Sequence, residues 1–179
     1  MDPHTHIQST PIDASELIDG TCRPDCGALA TFVGLVRDNH AGRAVSSLEY
    51  TAHERIAERT IREIEQEVLA EYGVAECRVI HRLGHLEIGD VAIVAVVRSG
   101  HRAEAFAAVA EVVDRVKHRA PIWKEEHYAD GTSEFVEGHD VDIQPRPDSR
   151  QLPPQGKAQQ MTGHHDIQRR QRVEPTTLA

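Results

Sequence analysis

The apolar run at residues 91–97 constrains the fold of this 179-residue chain more than any other segment. It reads VAIVAVV, without the alternation of apolar and polar residues that marks a strand with one face in water. A continuous apolar run is typical of a strand covered on both faces. We therefore expect further structure on either side of this strand, within about one hydrophobic core for a chain of this length.

Two amphipathic helices are predicted to supply that cover. Residues 54–73 form the clearer one, because apolar residues recur there at spacings of three and four and Gly73 closes the segment. The second helix spans residues 101–120 and ends before Pro121. Its predicted buried stripe consists of Phe106, Val109, Val113 and Val116.

Strands and helices together predict an α+β fold for the middle of the chain. Strands are expected at residues 27–37, 45–53, 76–84 and 91–99, which gives the order β, β, α, β, β, α before further short strands. We place the folded domain at residues 27–143. Residues 1–26 are expected to be loosely ordered, and residues 144–179, rich in proline and glutamine without an aromatic residue, are expected to form a disordered tail.

Charge and cysteine content exclude several classes of protein. The formal net charge is −9 with a pI near 5.7, so the overall field repels nucleic acids and acidic membranes. The sequence has no long apolar run and its first residues lack a signal-peptide pattern. Cys22, Cys26 and Cys77 are too sparse for a disulfide scaffold. We expect a cytoplasmic protein that binds neither nucleic acid nor membrane.

Positively charged residues at the ends of predicted elements indicate an anion site. His101 and Arg102 lie in the first turn after Ser99, a candidate N-cap, where the helix dipole disfavours cations unless an anion is present. Arg37 ends a strand, a position suited to a bidentate anion clamp. The alternative is that all three are ordinary solvated side chains.

The stretch KHRAPIWKEEH places two lysines around a proline and the only tryptophan of the chain. Lys117 lies at a helix end, where its charge suits the carbonyl groups. Lys124 follows Trp123 in an extended run, and partial desolvation there suits a lysine to proton transfer. The alternative is a surface lysine paired with Glu125 or Glu126. Glu49 and Tyr50 are further candidates for lining a pocket.

Other motifs indicate little chemistry of their own. His81 and His85 flank a glycine in a strand and turn, which favours a structural role, and the CxxxC of Cys22 and Cys26 is only a weak zinc motif. No GxGxxG, P-loop or GxSxG sequence occurs. A reaction at this site would therefore take its nucleophile from another molecule.

The segments GALATFVGLVRD, VSSLEY, HRLGHLEIGD, VAIVAVVRSGHRAEAF and KHRAPIWKEE, in this order, resemble the catalytic large subunit of molybdopterin synthase. The resemblance implies an α/β hammerhead-type fold with an additional small antiparallel β subdomain. It also implies a homodimer that forms a heterotetramer with two small ubiquitin-like sulfur carriers. The implied reaction transfers sulfur from the carrier's C-terminal Gly-Gly thiocarboxylate to cyclic pyranopterin monophosphate, giving molybdopterin, without a cofactor or metal.

The resemblance also assigns residues. Lys117 and Lys124 match the family's two catalytic lysines, and Arg37, His101 and Arg102 match its substrate-anion positions. We expect the proline break to aim both amines at one spot that Trp123 shields from water. Gly100, Phe135 and His139 depart from residues that are frequent in the family.

Two other functions remain open on the sequence. One is a non-catalytic module that binds an anionic ligand or a Gly-Gly tail, although retention of both lysines favours catalysis. The other is a metal-binding protein, suggested by the twelve histidines of the chain.

Overall fold

The computed structural model describes residues 5–136. The predicted tail at 144–179 and His139 lie outside the described residues. The elements, in chain order, are β1 (Ile7–Gln8), α1 (Ala14–Gly20), β2 (Ala28–Leu35), β3 (Asn39–His40), β4 (Arg43–Ala52), α2 (Glu54–Tyr72), β5 (Glu76–Arg82), β6 (Gly84–Glu87), β7 (Val91–Ser99), α3 (Arg102–Arg119), β8 (Ile122–Tyr128) and β9 (Ser133–Val136).

The first sheet has the strand order β1-β5-β7-β2, and β7 runs antiparallel to both of its neighbours. Alternate side chains of β7 enter two different cores. Ile93, Ala95 and Val97 pack with α2 and α3, whereas Val94 and Val96 pack with the α1 segment. The continuous apolar run is therefore explained by burial on both faces, as predicted.

The second sheet is antiparallel, with the order β3-β4-β8-β9 and with β6 paired to β4. The chain passes from β5 to β6 at Gly84, whose φ of 85° lies in the left-handed region that favours glycine. The inner face of this sheet contributes Val45, Leu48 and Tyr128 to a separate small core. The mixture of two sheets with flanking helices agrees with the predicted α+β class.

Helix α2 buries the predicted stripe, including Ile61, Ile64 and Val68, and Gly73 caps it in the left-handed conformation. The prediction for α3 was only partly right. Its buried residues are Ala105, Ala108, Val112, Val113 and Val116, while Phe106 is 65% exposed. Small alanine side chains let the helix lie close to β2 and β7, so the buried stripe is centred on them rather than on the phenylalanine.

The segment before Gly27 is more structured than the loose order expected for residues 1–26. Strand β1 pairs in parallel with β5, and Asp13 caps α1 by accepting a 2.8 Å hydrogen bond from the backbone N–H of Ser15. Arg98 donates to the carbonyl oxygen of Ile18 over 2.7 Å. The stretch IDASELIDG is compatible with the short helix, whereas strand β1 has no local signature, because so short a strand gains its stability from packing rather than from periodicity.

His6 anchors this segment to α2 by ionic hydrogen bonds. Its Nδ1 lies 2.9 Å from Glu58 Oε1 and its Nε2 lies 2.9 Å from Glu65 Oε2. His6 and Glu65 are 2% and 1% exposed, and Glu65 also accepts the backbone N–H of Val79 over 2.7 Å. Burial by itself lowers the pKa of His6, but the hydrogen bonds and charges of the two glutamates raise it above the ordinary value.

None of the helices within residues 5–136 has both the length and the apolar character needed to cross a lipid bilayer.

We predict that the anchor at His6 stabilises the fold in a pH-dependent way. The folded protein holds the His6 proton more tightly than the unfolded chain, so this contribution is complete below pH 6.5 and is lost as the pH rises through the raised pKa. His6→Ala should lower the free energy of unfolding by about 3–5 kcal/mol in mildly acidic buffer, because it leaves Glu65 buried without its partner. Chemical denaturation at several pH values measures this loss.

The loss should shrink towards alkaline pH, where the wild-type histidine is neutral. His53→Ala is the control, since His53 is exposed and its side chain makes no cap hydrogen bond. An effect of His6→Ala that stays constant from acidic to alkaline pH would contradict the prediction.

Candidate functional site

Strand β8 directs Lys124 to the inner face of the second sheet. Successive strand residues point to opposite faces, so Lys124 and Glu126 share a face, and their cross-strand partners on β4 are Tyr50 and Leu48. Trp123 points the other way and is 53% exposed. The expectation that Trp123 shields the two amines is therefore wrong, because strand alternation separates it from Lys124.

Glu126 is the centre of a buried hydrogen-bond cluster. It is 3% exposed and accepts hydrogen bonds from Lys124 Nζ at 2.8 Å, His40 Nδ1 at 2.5 Å and Tyr128 Oη at 3.0 Å. Burial by itself raises the pKa of Glu126, but the hydrogen bonds from Lys124 and His40 lower it below the ordinary value. An ionised Glu126 thus holds the Lys124 amine in one position. Pairing with Glu126 was foreseen as an alternative, but the pair is buried rather than on the surface.

Lys117 extends from the last turn of α3 and is exposed. Its Nζ lies 5.7 Å from the centroid of the Phe32 ring on β2. Burial first, and the positive charge of Lys117 in addition, lower the pKa of His81 on β5 to about 4, against an opposing hydrogen bond to the Arg82 carbonyl. His81 is therefore neutral at physiological pH.

His81 and Tyr50 meet where the two sheets adjoin. Their rings meet edge to face, with centroids 4.9 Å apart and planes at 74°. Tyr50 is the cross-strand partner of Lys124. The strand pair that carries Lys124 is therefore in contact with β5 of the first sheet through these two rings.

The three predicted anion-binding residues are divided between opposite ends of the first sheet. Leu35 pairs with Val91 and Ala28 pairs with Ser99, so Arg37, just past β2, lies at the end of the sheet where β7 begins. His81 pairs with Ile93 at this same end. Arg37 therefore lies at the same end of the first sheet as His81.

His101 and Arg102 are exposed at the start of α3, and Lys117 lies near its end. At about 1.5 Å per residue, Arg102 and Lys117 are about 22 Å apart along the helix axis. Ser99 is 3% exposed, and its hydroxyl accepts the backbone N–H of His101 over 3.5 Å, although the structural N-cap is His101 itself. One chain therefore does not bring all five predicted residues into a single pocket.

No metal site is formed by the described part of the chain. Residues 5–136 contain no group of three or more His, Cys, Asp or Glu side chains that could hold a metal ion. His85 is exposed and pairs with Glu87 over 2.8 Å. Cys22 is exposed and Cys77 is buried.

Two of the three departures from the family pattern lie within the described residues. A Cβ atom at Gly100 would meet no other atom within 4 Å, so the common alanine would fit there without rearrangement. Phe135, on the edge strand β9, is 64% exposed.

Sequence reasoning considered Glu126 only as a surface partner of Lys124, missed His40, and assigned His81 to a structural turn. The two-residue spacing of Lys124 and Glu126 on a strand was a usable signal. The contact of His40 with Glu126 spans 86 positions and has no local signature.

Comparison with known proteins places the chain in a family. A family model described as "MoaE protein" matches residues 7–119. The chain belongs to the MoaE family. The molybdopterin synthase catalytic subunit of Halalkalibacterium halodurans is 38% identical over 125 residues, which cover 70% of this chain and 80% of the relative. The corresponding protein of Rattus norvegicus is 40% identical over 135 residues, covering 74% of this chain and 68% of the relative.

The fold comparison agrees with the MoaE assignment. The crystal structure of molybdopterin synthase from Staphylococcus aureus has 31% sequence identity and a TM-score of 0.70, covering 74% of this chain and 96% of that chain. A MoaE protein from Burkholderia ambifaria has 29% identity and a TM-score of 0.64, with 76% and 90% covered. The predicted family and the hammerhead-type α+β fold are thus confirmed, as is the prediction of an enzyme subunit.

We predict strong energetic coupling between Lys124 and Glu126. A double-mutant cycle with Lys124→Met and Glu126→Gln should give a coupling energy of roughly 0.5–3 kcal/mol, because Glu126 is buried and accepts a hydrogen bond of 2.8 Å from the Lys124 amine. Unfolding in urea measures the free energy of unfolding of the wild type, the two single variants and the double variant. The control cycle uses Arg59 and Glu63, an ion pair with side chains 68% and 57% exposed, for which about 0.5 kcal/mol or less is expected. Equal coupling in the two cycles would argue against a buried, ionised pair.

Proposed function

We propose that this chain is the catalytic subunit of a molybdopterin synthase. It would transfer sulfur to cyclic pyranopterin monophosphate from the C-terminal thiocarboxylate of a small ubiquitin-like carrier. The observation that carries the proposal is the Lys124 amine, which buried Glu126 holds on the inner face of the second sheet. Membership of the MoaE family supplies the reaction class.

An external sulfur source is supported by the positions of the cysteines. Cys77 pairs with Val97 on β7, and Cys26 precedes the start of β2, so both lie towards the Ser99 end of the first sheet, away from the lysines. Burial raises the pKa of the Cys77 thiol well above its ordinary value, which leaves it protonated and poorly nucleophilic. A sulfur atom supplied by a partner removes the need for a cysteine nucleophile in this chain.

Each lysine has a distinct role in the proposal. Lys117 is exposed, so it is accessible to a carrier tail, and its charge would stabilise the negative charge that develops on the thiocarboxylate carbonyl. Lys124 is fixed by Glu126 and would transfer protons during addition of the thiol group and opening of the cyclic phosphate. Arg37, at the same end of the sheet, would bind the substrate phosphate.

His101 and Arg102 would serve the site of a second copy of the chain. Their distance of about 22 Å from Lys117 along α3 is too great for one small substrate to bridge, so a homodimer in which each chain donates this helix start to the other fits the five residues best. The edge strand β2 exposes Leu29, Val33 and Leu35. An exposed apolar edge of this kind is typical of a protein interface.

The partner in the proposed assembly is the small carrier subunit, present twice in a heterotetramer. A structure described as a complex of subunits 1 and 2 of molybdopterin-converting factor from Helicobacter pylori has a TM-score of 0.59 and 22% identity, which establishes likeness of fold only. The carrier tail would bring an anionic thiocarboxylate next to an anionic phosphate. The cations of the site would offset the repulsion between them.

We predict that both lysines are needed for product formation. Purified wild-type protein, thiocarboxylated carrier and cyclic pyranopterin monophosphate should yield molybdopterin, followed as its fluorescent oxidised derivative. Lys117→Ala and Lys124→Ala should each lower the rate about 100-fold or more, because each removes a group that acts on the transition state. Lys157→Ala removes the remaining lysine of the chain and should leave the rate unchanged.

The carrier-binding affinity of each variant, measured in parallel, separates catalysis from docking. Normal turnover in both lysine variants would exclude the proposed mechanism. A wild-type protein that binds carrier but makes no product would instead indicate a non-catalytic binding module.

We also predict that defective chains complement one another. Arg102→Ala and Lys124→Ala are each expected to be nearly inactive as homodimers. Co-expressed in equal amounts they should recover about a quarter of wild-type activity, because half of the randomly assorted dimers carry one intact site out of two. Activity of the co-expressed protein, purified without separating the kinds of dimer, is the measurement. If all five residues acted within one chain, mixing would restore nothing.

A further inference from the structure

His40 contacts the buried cluster around Glu126, and the proposed chemistry gives it no task. It ends strand β3, and the two-residue turn of Ala41 and Gly42 returns the chain to Arg43 on β4. Ala41 and Gly42 have φ angles of 49° and 81°, as a tight hairpin of this kind requires. The hairpin holds the His40 side chain, which is 15% exposed, against Glu126 of β8.

The two carboxylate oxygens of Glu126 have different partners. Oε1 accepts a hydrogen bond from Lys124 Nζ over 2.8 Å. Oε2 accepts hydrogen bonds from His40 Nδ1 over 2.5 Å and from Tyr128 Oη over 3.0 Å. Glu126 is ionised, since its pKa lies below the ordinary value despite its burial. An ionised carboxylate only accepts hydrogen bonds, so His40 Nδ1 carries a proton and donates it.

We propose that His40 is a positioning residue for Lys124, because its hydrogen bond to Oε2 fixes the rotation of the Glu126 carboxylate that holds the amine by Oε1. The terminal torsion of a glutamate has only a broad intrinsic preference, so its hydrogen bonds decide where the two oxygens lie. Lys124 transfers protons in the proposed reaction, which requires hydrogen-bond distance to the reacting atom. A displacement of about 1 Å in such a site can lower the rate about 100-fold. This inference rests on the function proposed above.

The hairpin has an anchor that does not depend on His40. The guanidinium carbon of Arg43 lies 3.4 Å from the centroid of the Tyr128 ring, and Arg43 also donates a hydrogen bond to Glu134 over 3.1 Å. Replacement of His40 therefore leaves the hairpin in place, together with Arg37 just before it. Loss of the His40 hydrogen bond is expected to disturb the Lys124 amine and not the binding of the substrate phosphate.

Substitutions of His40 separate the hydrogen bond from the imidazole ring. His40→Leu removes the donor and should lower kcat about tenfold or more, with KM for the pterin substrate essentially unchanged. His40→Asn carries its N–H group at the same number of bonds from the backbone as Nδ1, so it should retain most of the wild-type kcat. His40→Ala removes the donor without adding apolar bulk, and it takes the place of His40→Leu if that variant does not fold.

His85→Leu is the matched control. His85 lies on β6 of the same sheet, and its Nε2 also contacts a carboxylate, that of Glu87, over 2.8 Å. This histidine is exposed, and its carboxylate partner does not bind Lys124. His85→Leu should therefore leave both kcat and KM at their wild-type values.

A second measurement does not depend on turnover. The chain has three lysines, Lys117, Lys124 and Lys157, and their rates of reductive methylation can be followed separately by peptide mass spectrometry. His40→Leu should raise the rate at Lys124 several-fold relative to the other two, because the amine is no longer held in one position. His40→Asn and His85→Leu should not raise it. If wild-type protein forms no molybdopterin, the proposed function fails, while the reactivity of Lys124 still decides whether His40 positions the amine.

Three results would overturn the inference. The first is a His40→Leu variant, or His40→Ala in its place, that matches His85→Leu in both kcat and Lys124 reactivity. The second is a loss expressed in KM alone, which would assign His40 to substrate binding. The third is a His40→Asn variant as impaired as His40→Leu, which would mean that the imidazole ring itself takes part in the chemistry and that a donor to Oε2 is not sufficient.

Discussion

Strand β7 lies between two cores, and the remaining elements are arranged around the need to bury both of its faces. Helices α2 and α3 cover one face, and the α1 segment covers the other. An uncovered face would expose side chains such as Val94 and Val96 to water, which would lower the free energy of unfolding by about 1.5–3 kcal/mol for each side chain. The N-terminal segment is therefore part of the fold, and the His6 anchor attaches it to α2.

The same architecture creates the site at the point where β5 leaves the first sheet and β6 enters the second. Gly84 allows the chain to turn there, which brings His81 from one sheet against Tyr50 from the other. The end of α3 brings Lys117 over the Phe32 ring of β2. A site formed by the junction of two sheets has a rigid base, which suits the proposed sulfur transfer.

The Lys124–Glu126 pair is better explained by function than by stability. Placing a lysine and a glutamate on an inner sheet face carries a desolvation free energy that their mutual attraction only partly offsets. A protein with apolar residues of similar size at such positions is often equally stable or more stable. Three hydrogen bonds to Glu126 reduce this cost. The arrangement keeps an amine at a defined position within a partly apolar surface, as proton transfer requires.

The sequence by itself determined the elements whose signal is local: the two-sided strand β7, helix α2 with its closing Gly73, and the α+β order. The motif resemblance identified Lys117 and Lys124. Only the tertiary structure decided that His40 contacts Glu126 beside Lys124 and that Tyr50 meets His81, because these contacts join residues far apart in the chain. It also placed Trp123 and Phe106 outside the core and separated Arg102 from Lys117. Periodicity indicates which face of an element is apolar, but only the packing of elements against one another decides which side chains meet.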